Sequence, residues 1–208
     1  MMDLKRTYVI AEIGVNHNGS LELAEQMIIA AKQAGADAVK FQTFTAEALV
    51  SQETPKVDYQ KATTQENESH FDMIKSLELS HEDHYPIIDY CRSNAIDFIS
   101  TPYDIDSALF LDDLGVEVFK TASADIVDLP LHTFLASTGK TVIISTGMAN
   151  MDEIKDVLNL YEEARNPNVI LLHCVSNYPC KFESLNLKVI QTLEIYTLEE
   201  NKFIKNKL

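Results

Sequence analysis

Short, nearly continuous apolar runs alternate with longer amphipathic stretches from residue 8 to residue 193. A strand buried on both faces reads as an unbroken apolar run, whereas a helix packed on one side shows a 3.6-residue period. Their strict alternation is the sequence sign of repeated βα units and a parallel sheet. Residues 8–13, 38–42, 97–100, 118–120, 141–145 and 169–173 read as strands. Between and after them, residues 21–33, 71–77, 82–93, 105–114, 130–137, 151–164 and 186–193 read as helices. Ser20 is placed to cap the first helix and Gly35 to close it. The excursion over residues 43–69, with Pro55 and Tyr59, is long for a compact domain and reads as a binding loop or lid.

Six such units predict a parallel α/β barrel of the TIM type, (β/α)8, that stops two units short. The chain has 208 residues, against about 250 for a complete barrel. With 46% hydrophobic residues it can bury a sizeable core as one domain. The expected organisation is a partial barrel over residues 1–193 and a polar tail over residues 194–208.

The formal net charge of −15 argues against nucleic acid or an anionic membrane as partner. It leaves room for a small anionic substrate, because a few buried lysines can make a positive pocket. No run of about 18 apolar residues occurs and no leader pattern opens the chain. The three cysteines, Cys91, Cys174 and Cys180, lack metal-ligand spacing. Together these features predict a soluble cytoplasmic protein with reduced thiols.

In a barrel of this type the active site lies at the C-terminal ends of the strands. Those ends carry Glu12, Lys40 with Gln42, Ser100 with Thr101, Lys120 with Ser123, Ser145 with Thr146, and His173. Polar groups at the ends of apolar strands are unfavourable unless paired or holding a ligand. Lys40 and Lys120 would supply positive charge, and Thr101, Ser123 and Ser145 short hydroxyl donors. That set suits phosphate or carboxylate. Glu12 and Asp125 could carry protons or accept from sugar hydroxyls. The inventory fits a compact substrate with two anionic groups.

Five segments resemble the N-acetylneuraminate (sialic acid) synthase family. They are Ala11-Glu12-Ile13-Gly14-Val15-Asn16-His17-Asn18-Gly19, Ala36-Asp37-Ala38-Val39-Lys40-Phe41-Gln42-Thr43-Phe44, Ser100-Thr101-Pro102-Tyr103-Asp104, Ile144-Ser145-Thr146-Gly147-Met148-Ala149 and His173-Cys174-Val175-Ser176-Asn177-Tyr178-Pro179. They fall in the family's order and spacing. Tyr59-Gln60 and Glu78-Leu79 most resemble the bacterial branch that makes sialic or legionaminic acid.

The resemblance implies a condensation of phosphoenolpyruvate with N-acetylmannosamine or a related amino sugar, with release of phosphate. It further implies a divalent metal ion (Mn2+ or Mg2+) that activates the sugar aldehyde, and a homodimer. Carried over by position, Lys40, Thr101, Lys120, Ser123, Ser145 and Ser176 would hold the phosphate and carboxylate of phosphoenolpyruvate, with Glu12 beside them. Gln42, Tyr103 and Tyr178 would line the sugar site, and Asp125 takes the place of an acid near the aldehyde.

There are departures from the family pattern. Asp125 stands where many members have glutamate, Ala124 where glycine is common, Tyr103 for phenylalanine, and Ser176 for threonine or asparagine. The family's later Ser-Asp-His and Arg/Lys-His-Phe segments, whose histidines bind the metal, do not occur, nor does its C-terminal antifreeze-like domain. The polar ending is what a frameshifted or prematurely terminated reading frame would produce.

Other readings stand beside these. Lys40 or Lys120 could be a Schiff-base lysine of a barrel aldolase, since burial depresses a lysine pKa. The chain could also be an inactive fragment that keeps only an anion site. His17 could touch substrate or bond to backbone. His173 reads as structural rather than metal-binding, Cys174 as a core thiol, and His70, His81 and His84 as solvent-facing.

Overall fold

The computed structural model describes residues 6–55, 69–177 and 179–197. The six strands follow one another in the sheet in chain order, β1 to β6. They are β1 (Ile10–Gly14), β2 (Ala38–Thr43), β3 (Asp97–Pro102), β4 (Val118–Thr121), β5 (Thr141–Ser145) and β6 (Val169–Leu172). Each is followed by helix, as expected for an incomplete (β/α)8-type chain of six units. The described chain divides into two compact units, Met1–Ser100 and Thr101–Leu208.

In the first unit, β1 and β2 pair in parallel with Ile10 opposite Ala38 and Glu12 opposite Lys40. The register then slips, so that Gly14 lies opposite Phe41. Helix α1 (Leu21–Gln33) starts at Ser20, whose hydroxyl accepts from the Leu23 N–H, as its position in the sequence predicts. A short helix α2 (Ala46–Leu49) follows β2, and α3 (His70–Ser76) and α4 (His81–Ser93) precede β3. Ser80 and Asp83 form a reciprocal capping box at the start of α4. The core of this unit gathers Ile13, Ile28, Val39, Phe41, Ile87 and Cys91. Phe41 stacks on Phe98 with centroids 5.6 Å apart.

The N-terminal ends of these strands are tied through Asp37. Its carboxylate accepts from both Arg6 guanidinium nitrogens and, at 2.8 Å, from the Val9 N–H. Its carbonyl accepts from the Asp97 N–H at 3.0 Å. The Arg6 fork and the Val9 N–H pull the Asp37 carboxyl down to about 2.

In the second unit, β4, β5 and β6 pair in parallel without a register shift, Val118 opposite Thr141 and Val142 opposite Val169. Helices α5 (Ile105–Asp113), α6 (Leu129–Ser137), α7 (Met151–Glu163) and α8 (Lys188–Ile195) complete it. Asp104, Asp128 and Asn150 cap the first three, each accepting from backbone N–H groups of the opening turn. Leu111, Phe119, Leu131, Leu135, Ile144 and Leu158 are fully buried between strands and helices. Lys140 pairs with Asp112 at 2.5 Å and lies over the Phe119 ring.

Most expected elements form, with ends displaced by a residue or two. The α2 turn and the 3₁₀ turns at Ser123–Val127 and Phe182–Ser184 have too few residues to show a period, and α8 runs past Leu193 to Ile195. The middle of the expected loop, including Tyr59 and Gln60, lies outside the described residues. One expectation is overturned: His84 is fully buried rather than solvent-facing. It shares the inward stripe of α4 with Ile87, Ile88 and Cys91. No described helix is long and apolar enough to cross a membrane.

Asp37 sets an acid limit on stability. Its carboxyl is lowered from 3.8 to about 2, so its contribution is full above about pH 4 and is lost as pH falls through 2. Asp37→Asn should flatten the urea midpoint between pH 4 and 2 while lowering it at pH 7, a profile that unfolding titrations would measure. Phe41→Ala should cost about 3–5 kcal/mol in the same measurement.

Candidate functional site

In the first unit three of the expected side chains meet at the end of β1. Lys40 is buried on β2, and its Nζ lies 2.8 Å from Glu12 Oε2. The strand register puts the two residues opposite each other. The bulge that follows turns Gly14 into the left-handed region, φ 57°. A Cβ there would lie 3.0 Å from Glu12 Oε1 and 3.5 Å from Gln42 Nε2. The left-handed backbone therefore favours glycine here, with the Glu12 carboxylate close beside it.

Behind them runs a buried, directional chain of hydrogen bonds. His84 Nδ1 is 2.7 Å from the Ser80 carbonyl, which can only accept, so Nδ1 carries the proton. Burial lowers the His84 pKa and keeps the ring neutral, so Nε2 accepts from Thr43 Oγ1 at 2.9 Å. Thr43 then accepts from the Ser100 hydroxyl at 2.7 Å. The chain fixes the ends of β2 and β3 to α4. The sequence held a signal for it, since residues 84, 87, 88 and 91 form a helical stripe that includes His84.

His17 is also fully buried, tilted against the Phe41 ring with its Nδ1 accepting from the Gly19 N–H at 3.0 Å. Of the two roles open to it, backbone bonding is the one seen. Burial lowers its pKa. His81 is exposed on α4 and His70 half-buried on α3.

In the second unit Lys120 and Ser145 sit side by side at the ends of β4 and β5, both buried. Lys120 Nζ donates to Ser145 Oγ and to the Thr121 carbonyl. Ser123 opens the 3₁₀ turn after β4, and its Oγ accepts from the Gly147 N–H at 3.1 Å. Asp125, in the same turn, accepts from the Ala122 N–H at 2.7 Å and so caps it. His132 and Tyr161 lie under that turn, both fully buried and 3.1 Å apart at Nδ1 and Oη. Burial pushes the His132 pKa down to about 4.

Thr101 is buried at the end of β3 and Tyr103 is half-buried beyond it. Ser176 is exposed after β6. Tyr178 lies outside the described residues. His173 falls just past β6 and donates from Nε2 to the Leu185 carbonyl at 2.7 Å, a structural bond. Cys174 is half-buried, with its Cβ and carbonyl against Gly147. The importance of Gly147 is not visible in the sequence beyond its place in the motif. Among the described residues, no group of three or more His, Cys, Asp or Glu side chains is placed to hold a metal ion.

A parallel sheet with alternating helices, and with buried lysines and hydroxyls at the strand ends, defines an α/β protein of the incomplete (β/α)8 type. More closely, the chain belongs to the NeuB family, whose model matches residues 27–198. It is 44% identical to the N,N'-diacetyllegionaminic acid synthase of Legionella pneumophila, over 89% of this chain and 53% of that one. It is 42% identical to the synthase of the same name from Campylobacter jejuni, over 92% and 58%. Among solved structures, the N-acetylneuraminic acid synthetase of Leptospira borgpetersenii, in complex with citrate, superposes with a TM-score of 0.78 at 34% identity. That match covers 89% of this chain and 60% of the other. The chain thus spans about half the length of the curated relatives it matches.

Two measurements check this geometry. Long-range ¹H–¹⁵N spectra should show His84 as the neutral Nδ1–H form, and an Nε2–H form would contradict the chain from Ser100. His132 should stay neutral until about pH 4 in the folded protein. Since an unfolded histidine protonates near pH 6.5, the penalty on folding should be absent above pH 6.5 and grow as pH falls to 4.

Proposed function

We propose that this chain carries the phosphoenolpyruvate subsite of a nonulosonate synthase. The proposed reaction condenses phosphoenolpyruvate with N-acetylmannosamine or a related amino sugar, giving a sialic- or legionaminic-type acid and phosphate. Family membership supports the reaction class, and the legionaminic acid synthases among the relatives support that branch. The observation that carries the reading is the pair of oriented hydroxyls in the second unit. Lys120 donates to Ser145 and the Gly147 N–H donates to Ser123, so each serine is left with its own proton to give. Such preset donors suit a phosphate or carboxylate oxygen.

In this reading Lys40, Thr101, Lys120, Ser123, Ser145 and Ser176 hold the two anionic groups, and Glu12 holds Lys40 in place. Gln42, Tyr103 and Tyr178 face the sugar, with Asp125 near its aldehyde. The new carbon–carbon bond joins the enol C3 to the aldehyde carbon, water adds at C2, and the C2–O bond to phosphate breaks. The protein would act in the cytoplasm as a homodimer, where its three thiols stay reduced.

The described residues do not offer a ligand set for the divalent ion that the family resemblance implies, so no step is assigned to it. That observation favours a second reading, in which this chain binds phosphoenolpyruvate without completing the condensation.

Calorimetric titration with phosphoenolpyruvate separates these outcomes from a failure of both. Wild-type protein should bind, and Lys120→Ala should weaken binding by about 10- to 100-fold, the loss of a charge-assisted hydrogen bond. A folded protein that does not bind would overturn both readings. Sugar-dependent phosphate release with Mn2+, abolished by chelator, would select the synthase; binding without release would select the second reading.

A further inference from the structure

Gly147 follows Thr146 in the turn after β5, where both the Thr146 N–H and its hydroxyl donate to the Leu172 carbonyl, at 3.0 and 2.9 Å. This double bond to β6 leaves the turn little freedom. Gly147 is buried and is not among the residues with positive φ, so its backbone would accept any side chain on conformational grounds. What excludes a side chain is space. A Cβ at this position would lie 2.7 Å from Ser123 Oγ and 3.3 Å from both the Cβ and the carbonyl oxygen of Cys174. The Cys174 side of this slot is partly backbone, while the Ser123 side is a hydroxyl on a 3₁₀ turn. An added methyl group would therefore displace Ser123.

The same residue supplies the hydrogen bond that orients the displaced group. A serine hydroxyl has one proton and two lone pairs. The Gly147 N–H occupies one lone pair at 3.1 Å, which turns the Ser123 proton away from Gly147. We infer that Gly147 is a positioning residue for anion binding: its N–H and its missing side chain together hold the Ser123 hydroxyl as a donor to the bound anion. This deepens the proposed phosphoenolpyruvate site and rests on it. Gly147 itself touches the anion only through Ser123, which separates it from the residues already assigned to binding.

A double-mutant cycle tests the inference. Gly147→Ala, Ser123→Ala and the double variant are compared with wild type for phosphoenolpyruvate and inorganic phosphate affinity by calorimetry, and for urea midpoint. Gly147→Ala should weaken phosphoenolpyruvate binding by about tenfold with Ser123 present. It should add little in the Ser123→Ala background, where no hydroxyl remains to misplace. The urea midpoint should follow the same pattern: lowered by Gly147→Ala alone and largely restored in the double variant, because the 2.7 Å contact has gone. A merely structural glycine would not give this coupling between stability and affinity. Equal losses of affinity in both backgrounds, or wild-type affinity in Gly147→Ala, would overturn the inference while leaving the phosphoenolpyruvate reading intact. A wild-type protein that binds neither anion would overturn that reading, and the anion role of Gly147 with it. Should Gly147→Ala alone fail to fold, Ser123→Ala against the double variant still decides: equal affinities support the inference and a further loss sinks it.

Discussion

Two ammonium groups removed from water at the ends of apolar strands set the terms for the rest of this molecule. Desolvating a charge is unfavourable unless the protein replaces the lost water contacts. Lys40 is answered by a carboxylate on the neighbouring strand, Lys120 by a hydroxyl and a backbone carbonyl. Each answer makes local demands. Glu12 meets Lys40 because the register of β1 and β2 sets them opposite each other, and just beyond them the register shifts at Gly14, whose backbone lies in the left-handed region. For Lys120, β4 and β5 have to stay in register so that Ser145 comes alongside. The opposite strand ends carry a different chemistry, dominated by Asp37 and its Arg6 and Val9 partners. In the first unit one end of the strands is thus tied together through Asp37, and the other carries the Lys40–Glu12 pair.

The architecture was legible because buried parallel strands and one-sided helices leave different periods, and six strands alternate with helical segments. The candidate site was legible in part for the same reason: a lysine at the end of an apolar run stands out, as Lys40 and Lys120 do. What periodicity could not show was direction and space. His84 looked like one more polar residue on a polar helix, although its spacing to Ile87 and Cys91 placed it on the inward stripe. The 3₁₀ turn that carries Ser123 and Asp125 is too short to have a period. Nothing in the letters distinguishes a glycine chosen for backbone angle, such as Gly14, from one chosen for room, such as Gly147.

Two of the polar groups share one design. In each, a backbone group with only one hydrogen-bonding role decides the orientation of the next group outward. The Ser80 carbonyl fixes the tautomer of His84, which fixes Thr43 and then Ser100. The Gly147 N–H does the same for Ser123. Backbone is the stiffest part of the molecule, so side chains oriented from it are held in a fixed direction.

The setting of Gly147 has a consequence for how such a seat could arise or be transplanted. Its parts come from the loops after three successive strands: Ser123 after β4, Gly147 after β5, and the Cys174 wall after β6, with Thr146 bonded to the last residue of β6. No single βα unit contains it, and trimming or lengthening any of the three loops would unseat the others. Such a block is expected to be inherited whole, with its three loop lengths fixed against one another while the helices between them drift.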